Sequence, residues 1–208
     1  MQDLEDYNNA KNYLLNEQNV SRETFLQLEQ YVELLLKWNE HINLISSNSA
    51  KHIWTRHILD SAQLIKYLDL ESPLMDVGSG SGLPGLVVSI LGVKEVHLVD
   101  RDLRKCIFLQ EAKKFSKNTI KIHNCLFNDA NTANIINVTS RAFSNITKFL
   151  EDISQKIDAN GNILLLKGKS WESELDEAKH NWNFDYNISQ SITDELGMVI
   201  QITNIMRK

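Results

Sequence analysis

The apolar positions of this chain change period near residue 70. Before it they recur at helical spacing: Phe25, Leu28, Val32 and Leu35 fall on one stripe, widened by Leu36, which predicts an amphipathic helix. Ser21 can cap its start, and Trp38-Asn39 marks its end. A weaker helical pattern runs from Asp6 to Gln18. A third helix is predicted from about Ala50 to Leu68, with Ile53, Ile58, Ile65 and Leu68 toward a core. His41 to Ile45 reads as a connector and Ser46-Ser47-Asn48-Ser49 as a polar loop, and Pro73 closes the section.

From Leu74 onward short apolar runs alternate with helical stretches. Strands are predicted at 74–77, 95–99, 119–123, 136–141 and 162–167, and helices at 83–91, 101–116, 146–157 and 171–180. The last two strand candidates, Tyr186 to Ile192 and Val199 to Met206, have no helix between them. Strands joined by a short loop run antiparallel. The pattern predicts an α/β unit over 71–208, a mostly parallel sheet finished by an antiparallel hairpin, behind a helical extension over 1–70.

Composition narrows the class. At 208 residues and 42% hydrophobic the chain can bury a full α/β core. No apolar run approaches the ~20 residues of a membrane span, and the acidic start Met1-Gln2-Asp3-Leu4-Glu5-Asp6 does not read as a signal peptide. Cys106 and Cys125 read as free thiols of a reducing cytoplasm. No Cys/His grouping has metal-ligand spacing, so no metal is expected. The net charge of -5 argues against a free-standing nucleic-acid coat but leaves room for a local basic face.

The candidate chemistry lies between the first two strands. Asp76-Val77-Gly78-Ser79-Gly80-Ser81-Gly82 follows a strand and precedes Leu83-Pro84-Gly85 and a helix. Glycines let a ligand approach the backbone, and free amides at the helix start favour a negative group. Val96 to Asp100 reads as a second strand ending in an acid that can hold two ribose hydroxyls. Two cofactors fit. Gly80-x-Gly82-x-x-Gly85 matches the dinucleotide fingerprint of a nicotinamide-dependent (NAD) oxidoreductase, with Asp100 at about the usual ~20-residue distance. Asp76-x-Gly78-x-Gly80-x-Gly82 matches that of class I methyltransferases using S-adenosylmethionine. An acid before the first glycine suits a cofactor whose amino-acid end carries an ammonium, and suits a pyrophosphate poorly. The antiparallel tail belongs to the methyltransferase architecture, and 208 residues leave little space for a dehydrogenase's second domain.

Seven segments, in order and spacing, resemble one family, the bacterial 16S ribosomal RNA guanine methyltransferases, also called glucose-inhibited division protein B. They are Trp38-Asn39 with Asn43-Leu44, Arg56-His57-Ile58-Leu59-Asp60-Ser61, Asp76 to Gly85, Leu98-Val99-Asp100, Lys105 with Phe108-Leu109, Ser140-Arg141-Ala142-Phe143, and Leu166-Lys167-Gly168. The resemblance implies a Rossmann-like class I fold with a seven-stranded sheet. It implies methyl transfer from S-adenosylmethionine to nitrogen 7 of guanine 527, in the 530 loop of 16S RNA, either free or in the small ribosomal subunit. It implies cofactor contacts at Gly78, Leu83 and Arg141, and a pair after the third strand that aligns with Leu126-Phe127. There the family usually has Ala-Glu; here Asn124 to Asp129 departs from it, and Asp129 is the acid that could substitute. A non-catalytic RNA-binding scaffold of the same fold is the second rival, supported by that departure and the acidic charge.

Nitrogen 7 of guanine carries no proton at neutral pH, so no general base is expected; positioning is the task. The product ring is cationic, and a cation against it would oppose the reaction. Arg141 is therefore expected on the cofactor carboxylate or an RNA phosphate. Lys167, at the end of the fifth strand, is expected to meet an RNA phosphate. Arg56 can pair with Asp60 one turn on; for it and His57, packing and RNA contact stand level. Arg101, Arg104, Lys105, Lys113 and Lys114 share one predicted helix and form a candidate RNA-facing patch. Asp76, Gly80, Gly82 and Asp100 complete the expected cofactor site. A cytoplasmic monomer is expected.

Overall fold

The computed structural model describes residues 3–130, 132, 135–141 and 144–208. Seven strands form one sheet in the order β3-β2-β1-β4-β5-β7-β6. They are β1 Leu74–Val77, β2 Glu95–Asp100, β3 Thr119–Asn124, β4 Ile135–Arg141, β5 Ile157–Lys167, β6 Trp182–Gln190 and β7 Met198–Arg207. The first five pair in parallel, whereas β7 inserts antiparallel between β5 and β6.

Alternation along the strands sends side chains to two cores. Leu164 and Leu166 face one, with Leu74, Val96 and Leu98. Ile163 and Leu165 face the other, with Met75, Val77 and Val138. The second core is closed by α7 (Ile146–Ile153) and α8 (Trp171–Asn181). The first is closed by α5 (Gly85–Ile90), α6 (Leu103–Ala112) and the N-terminal helices α1 (Leu4–Asn12) and α2 (Arg22–Asn39). Leu14, Leu28, Tyr31 and Leu35 are fully buried in this shared core.

Ser21 caps α2 as expected, accepting from the Thr24 N–H at 3.0 Å. The predicted helix from Ala50 to Leu68 is not continuous. Ser46 caps a short α3 (Ser47–Lys51), and His52 then leaves the helical region. A wide turn, Trp54–Leu59, leads through α4 (Asp60–Ala62) into a tight turn at Gln63–Tyr67. The break has a long-range cause. The Asp6 carboxylate reaches across from α1 and accepts from the Trp54 and Thr55 amides at 2.9 and 3.0 Å, satisfying donors that the interrupted helix leaves open. The predicted helix 101–116 is likewise shorter: Arg101 precedes α6, whose N-cap is Asp102, and Lys113 and Lys114 lie in the turn after it.

Candidate functional site

A cavity of about 510 Å³ opens at the carboxyl ends of β1, β2 and β4, where open parallel sheets hold ligands. Its edge is the glycine loop. Gly78, Gly80 and Gly82 have φ of 72°, 56° and 88°, a region that L side chains enter at a cost. The loop is pinned throughout. The Gly78 and Ser79 amides both donate to the Val99 carbonyl at 3.0 Å. The Ser79 hydroxyl donates to the Asp76 carbonyl at 2.8 Å and accepts from the Val99 amide. The Gly80 amide donates to Asp100 Oδ2 at 2.8 Å. From α2, the buried Tyr31 hydroxyl donates to the Ser81 carbonyl at 2.7 Å; burial pushes that hydroxyl far above the ordinary tyrosine range.

The glycines divide into two groups. A Cβ on Gly80 would meet nothing nearer than the Gly78 carbonyl at 3.8 Å, so its position is uncrowded, but the loop glycine that lines the cavity is Gly78. A Cβ on Gly82 would press on Leu86 at 2.9 Å, and one on Gly85 would sit 2.5 Å from Leu98 and 2.8 Å from Asp76 Oδ2. Gly85 lets α5 pack on β1 and β2, and Gly82 lets the loop pack between Leu86 of α5 and Leu109 of α6.

Two expected cofactor contacts are placed elsewhere. Asp76 is fully buried behind the loop and does not line the cavity. Its Oδ2 accepts from the Gly85 amide and its Oδ1 from the Thr139 hydroxyl, both at 3.1 Å. Burial pushes its carboxyl up to about 6. It braces the start of α5 against β4 rather than meeting an ammonium group. Leu83 packs into the first core, and its amide closes the loop on the Ser79 carbonyl at 3.2 Å.

Asp100 lines the cavity. Oδ1 accepts from the Asp102 amide at 2.8 Å, and Oδ2 is held by Gly80. Each oxygen keeps a lone pair for a further donor such as a ribose hydroxyl. Cys125, the exposed Leu126 and the buried Phe127 form another wall. Lys156 anchors that turn by donating to the Phe127 and Ala130 carbonyls at 3.2 and 2.6 Å. Asp129 lies in the same turn, exposed and outside the lining.

Arg101 and Lys105 stand at the cavity, joined by Ser144 and by the Lys148–Asp152 ion pair at 2.7 Å. Sequence reasoning passed over these last three; the i,i+4 spacing of Lys148 and Asp152 was the available signal. Arg104 is exposed and paired with Asp102 at 2.9 Å, a contact that lowers the Asp102 carboxyl to about 2.

The remaining cations have protein partners. Arg141 lines the cavity, but its Nη1 turns to His57 Nδ1 at 2.7 Å and the Arg56 carbonyl at 3.1 Å, with Asp60 Oδ2 at 3.7 Å. Ala142 and Phe143, which complete that motif, lie outside the described residues. His57 is buried, so of the two readings left level it is packing and hydrogen bonding that fit, not RNA contact. Burial, then Arg141 and Arg56, push its imidazole down to about 3, and it accepts from Arg141 as a neutral ring. Arg56 pairs with Asp194 at 2.5 Å, not with Asp60. Lys167 is mostly buried and donates to the Ser144 carbonyl at 2.5 Å and to Glu174 at 2.7 Å. It is an internal ion pair, not a free phosphate contact. Burial favours the neutral acid at Glu174, but the Lys167 and Ser170 hydrogen bonds outweigh it and keep the carboxyl below its usual value.

The family model for rRNA small subunit methyltransferase G matches residues 24–201. Ribosomal RNA small subunit methyltransferase G of Rickettsia africae (strain ESF-5) is 47% identical over 189 residues, 90% of this chain and 97% of that one. The protein of the same name from Rickettsia prowazekii (strain Madrid E) is 46% identical over 189 residues, 90% and 98% of the two chains. Among solved structures, a ribosomal protein L11 methylase from Lactobacillus delbrueckii subsp. bulgaricus superposes with a TM-score of 0.57 at 13% identity, covering 72% of this chain and 77% of that one. TrmK of M. capricolum in complex with S-adenosyl-homocysteine gives 0.53 at 15% identity, covering 69% and 67%. At such identities the likeness carries the fold alone, which is the α/β class I methyltransferase fold.

Proposed function

This chain belongs to the rRNA small subunit methyltransferase G family, and from that membership we propose that it methylates nitrogen 7 of guanine 527 in 16S ribosomal RNA. The observation that carries the reading is the 510 Å³ cavity at the glycine loop, with the Asp100 carboxylate fixed beside it. Bound there, S-adenosylmethionine would supply an electrophilic methyl group.

The chain's own residues position and shield. Gly78, the loop glycine in the cavity lining, lets the ligand approach the backbone. Asp100 orients the ribose with its spare lone pairs. Leu126 and Phe127 offer apolar surface to the adenine. Nitrogen 7 attacks through a lone pair that needs no deprotonation, so alignment in a dry pocket can supply roughly 7–11 kcal/mol. Arg101, Lys105 and Lys148 at the cavity suit RNA phosphates. A ribosomal substrate sets the work in the cytoplasm, and a monomer suffices for it. The family membership disfavours a nicotinamide reading.

The test is transfer of labelled methyl from S-adenosylmethionine to unmethylated 16S RNA, free and in assembled small subunits. Label on nitrogen 7 of guanine 527 is expected. RNA binding without transfer to either form would leave a non-catalytic scaffold instead.

A further inference from the structure

A second cavity, about 210 Å³, adjoins the cofactor cavity and shares Arg141 with it. Leu166 and Met198, on neighbouring positions of β5 and β7, contribute apolar surface. Asp60 and Thr193 contribute polar surface. The cations in this lining are each turned to an acceptor of the protein: Arg56 to Asp194, Lys167 to Glu174, Arg141 to His57.

Asp60 differs from them. Its side chain is 16% exposed. Oδ1 is saturated, accepting from Gln63 Nε2 and from the Thr193 hydroxyl, both at 2.9 Å. Oδ2 has no hydrogen bond within 3.5 Å among the described residues; its nearest charged neighbour is Arg141 Nη1 at 3.7 Å. Thus the cavity next to the methyl donor holds a fixed carboxylate with one under-used oxygen. Ion-paired to Arg141 but without a hydrogen bond, this oxygen keeps lone pairs for a further donor.

We infer that this cavity receives the acceptor guanine, and that Asp60 Oδ2 accepts a hydrogen bond from its 2-amino group. The inference rests on the guanine reading above. The 2-amino group projects from the ring, donates two protons, and is absent from adenine. A carboxylate also suits the chemistry. As nitrogen 7 takes the methyl carbon and the carbon–sulfur pair leaves with sulfur, no proton moves and the positive charge passes from sulfur to the purine. An anion held on the ring's edge binds the transition state more tightly than the neutral base, so its contribution appears in kcat. Asp60 is by this account a specificity-determining residue, held in place by Gln63 and Thr193.

The experiment compares the full-length protein and Asp60→Asn on semi-synthetic 16S RNA carrying guanosine or inosine at the target position; inosine lacks only the 2-amino group. Wild type should lose about 10- to 100-fold in kcat/KM on inosine, mostly in kcat, the worth of one charge-assisted hydrogen bond. Asp60→Asn should start that low on guanosine and lose nothing more on inosine. RNA affinity measured with S-adenosylhomocysteine present should show the same pattern in smaller degree, and cofactor affinity of the variant should match wild type. Equal rates of wild type on the two RNAs would overturn the inference, as would an undiminished inosine penalty in Asp60→Asn. If the variant does not fold, the wild-type comparison decides alone. If wild type transfers no methyl to guanosine at all, the parent reading fails, and the binding arm still judges Asp60.

Discussion

The two cavities that meet at Arg141 are built in different ways. The cofactor side is held by a short stretch of chain folded on itself. Gly80 and Asp100, twenty residues apart, join loop to strand, and Ser79 stitches β1 to β2 through backbone groups. The neighbouring cavity is held by side chains from distant segments. Arg56 meets Asp194 and Asp60 meets Thr193 across 138 and 133 residues, clasping the wide turn after α3 to the β6–β7 turn. The locally built site should tolerate little change in its glycines or in the side chains that pin their backbone. The site built from distant segments should respond chiefly through its long-range side-chain pairs.

The largest effect should come from the packed glycines. Gly85→Ala puts a methyl 2.5 Å from Leu98 and 2.6 Å from the Asp76 Cβ, with no flexible group free to yield. Overpacking of this kind should cost about 3 kcal/mol of stability, read by urea unfolding. A loss under ~1 kcal/mol would show that the loop relaxes and that the contrast between the two cavities is weaker than drawn.

The same brace can be probed by pH. The Asp76 carboxyl is raised by burial from 3.8 to about 6 in the folded chain. A raised carboxyl binds its proton more tightly in the folded state, so its contribution to stability is greatest below the unfolded value. That contribution falls away as pH rises from about 4 to about 6, by on the order of 3 kcal/mol. Asp76→Asn can still accept from Gly85 and remove the charge. Wild type and variant should therefore diverge in stability across that window, the variant gaining toward neutral pH. Parallel curves would show that Asp76 is not held neutral by its surroundings.

Next in size is Asp100→Ala, which removes the acceptor for the Gly80 amide and for the ribose. Cofactor affinity should fall at least ~10-fold at roughly 1.5–3 kcal/mol for charge-assisted bonds. With a 2′-deoxy cofactor the loss should be clearly smaller; an equal loss with both would contradict the ribose contact and leave loop bracing as its role. Tyr31→Phe should follow. It strands the Ser81 carbonyl in a buried site and should cost about 1–2 kcal/mol. Part of that cost should appear as weaker S-adenosylhomocysteine binding, since α2 then no longer steadies the loop. Stability loss with unchanged cofactor affinity would confine α2 to packing.

The contrast also explains what could be read from the sequence. The glycine loop, the strand ending at Asp100 and the antiparallel tail depend on local period and turn chemistry, and all are present, though β6 begins at Trp182 rather than Tyr186 and ends at Gln190 rather than Ile192. The roles of Asp76 and Lys167 were misplaced, and that of His57 left open, because each is decided by a partner remote in the chain: Thr139, Glu174 and Arg141. The segment expected as one helix from residue 50 to 68 is helical over 53–67 and interrupted at His52, where Asp6 from another helix caps the restart. Asp60 appeared only as a neighbour for Arg56, since nothing near it in sequence announces Thr193.

The smallest stability effect, and the sharpest view of the side-chain-built half, should come from the Arg56–Asp194 pair. Both side chains are substantially exposed, at 52% and 39%, and exposed ion pairs contribute roughly 0–1 kcal/mol. Asp194→Ala also removes the acceptor of the exposed Leu196 amide, 2.9 Å from Oδ1, and should cost no more than about 1 kcal/mol of stability. It should still free a guanidinium at the rim of the cavity proposed for the acceptor base. RNA binding should then tighten at low salt, and its dependence on salt should steepen by about one unit of slope, the mark of one added phosphate contact. Arg56→Ala should show no such gain, and the double variant should match it. If Asp194→Ala leaves the slope unchanged, Arg56 faces away from the RNA path, and the clasp between the two turns is structural alone.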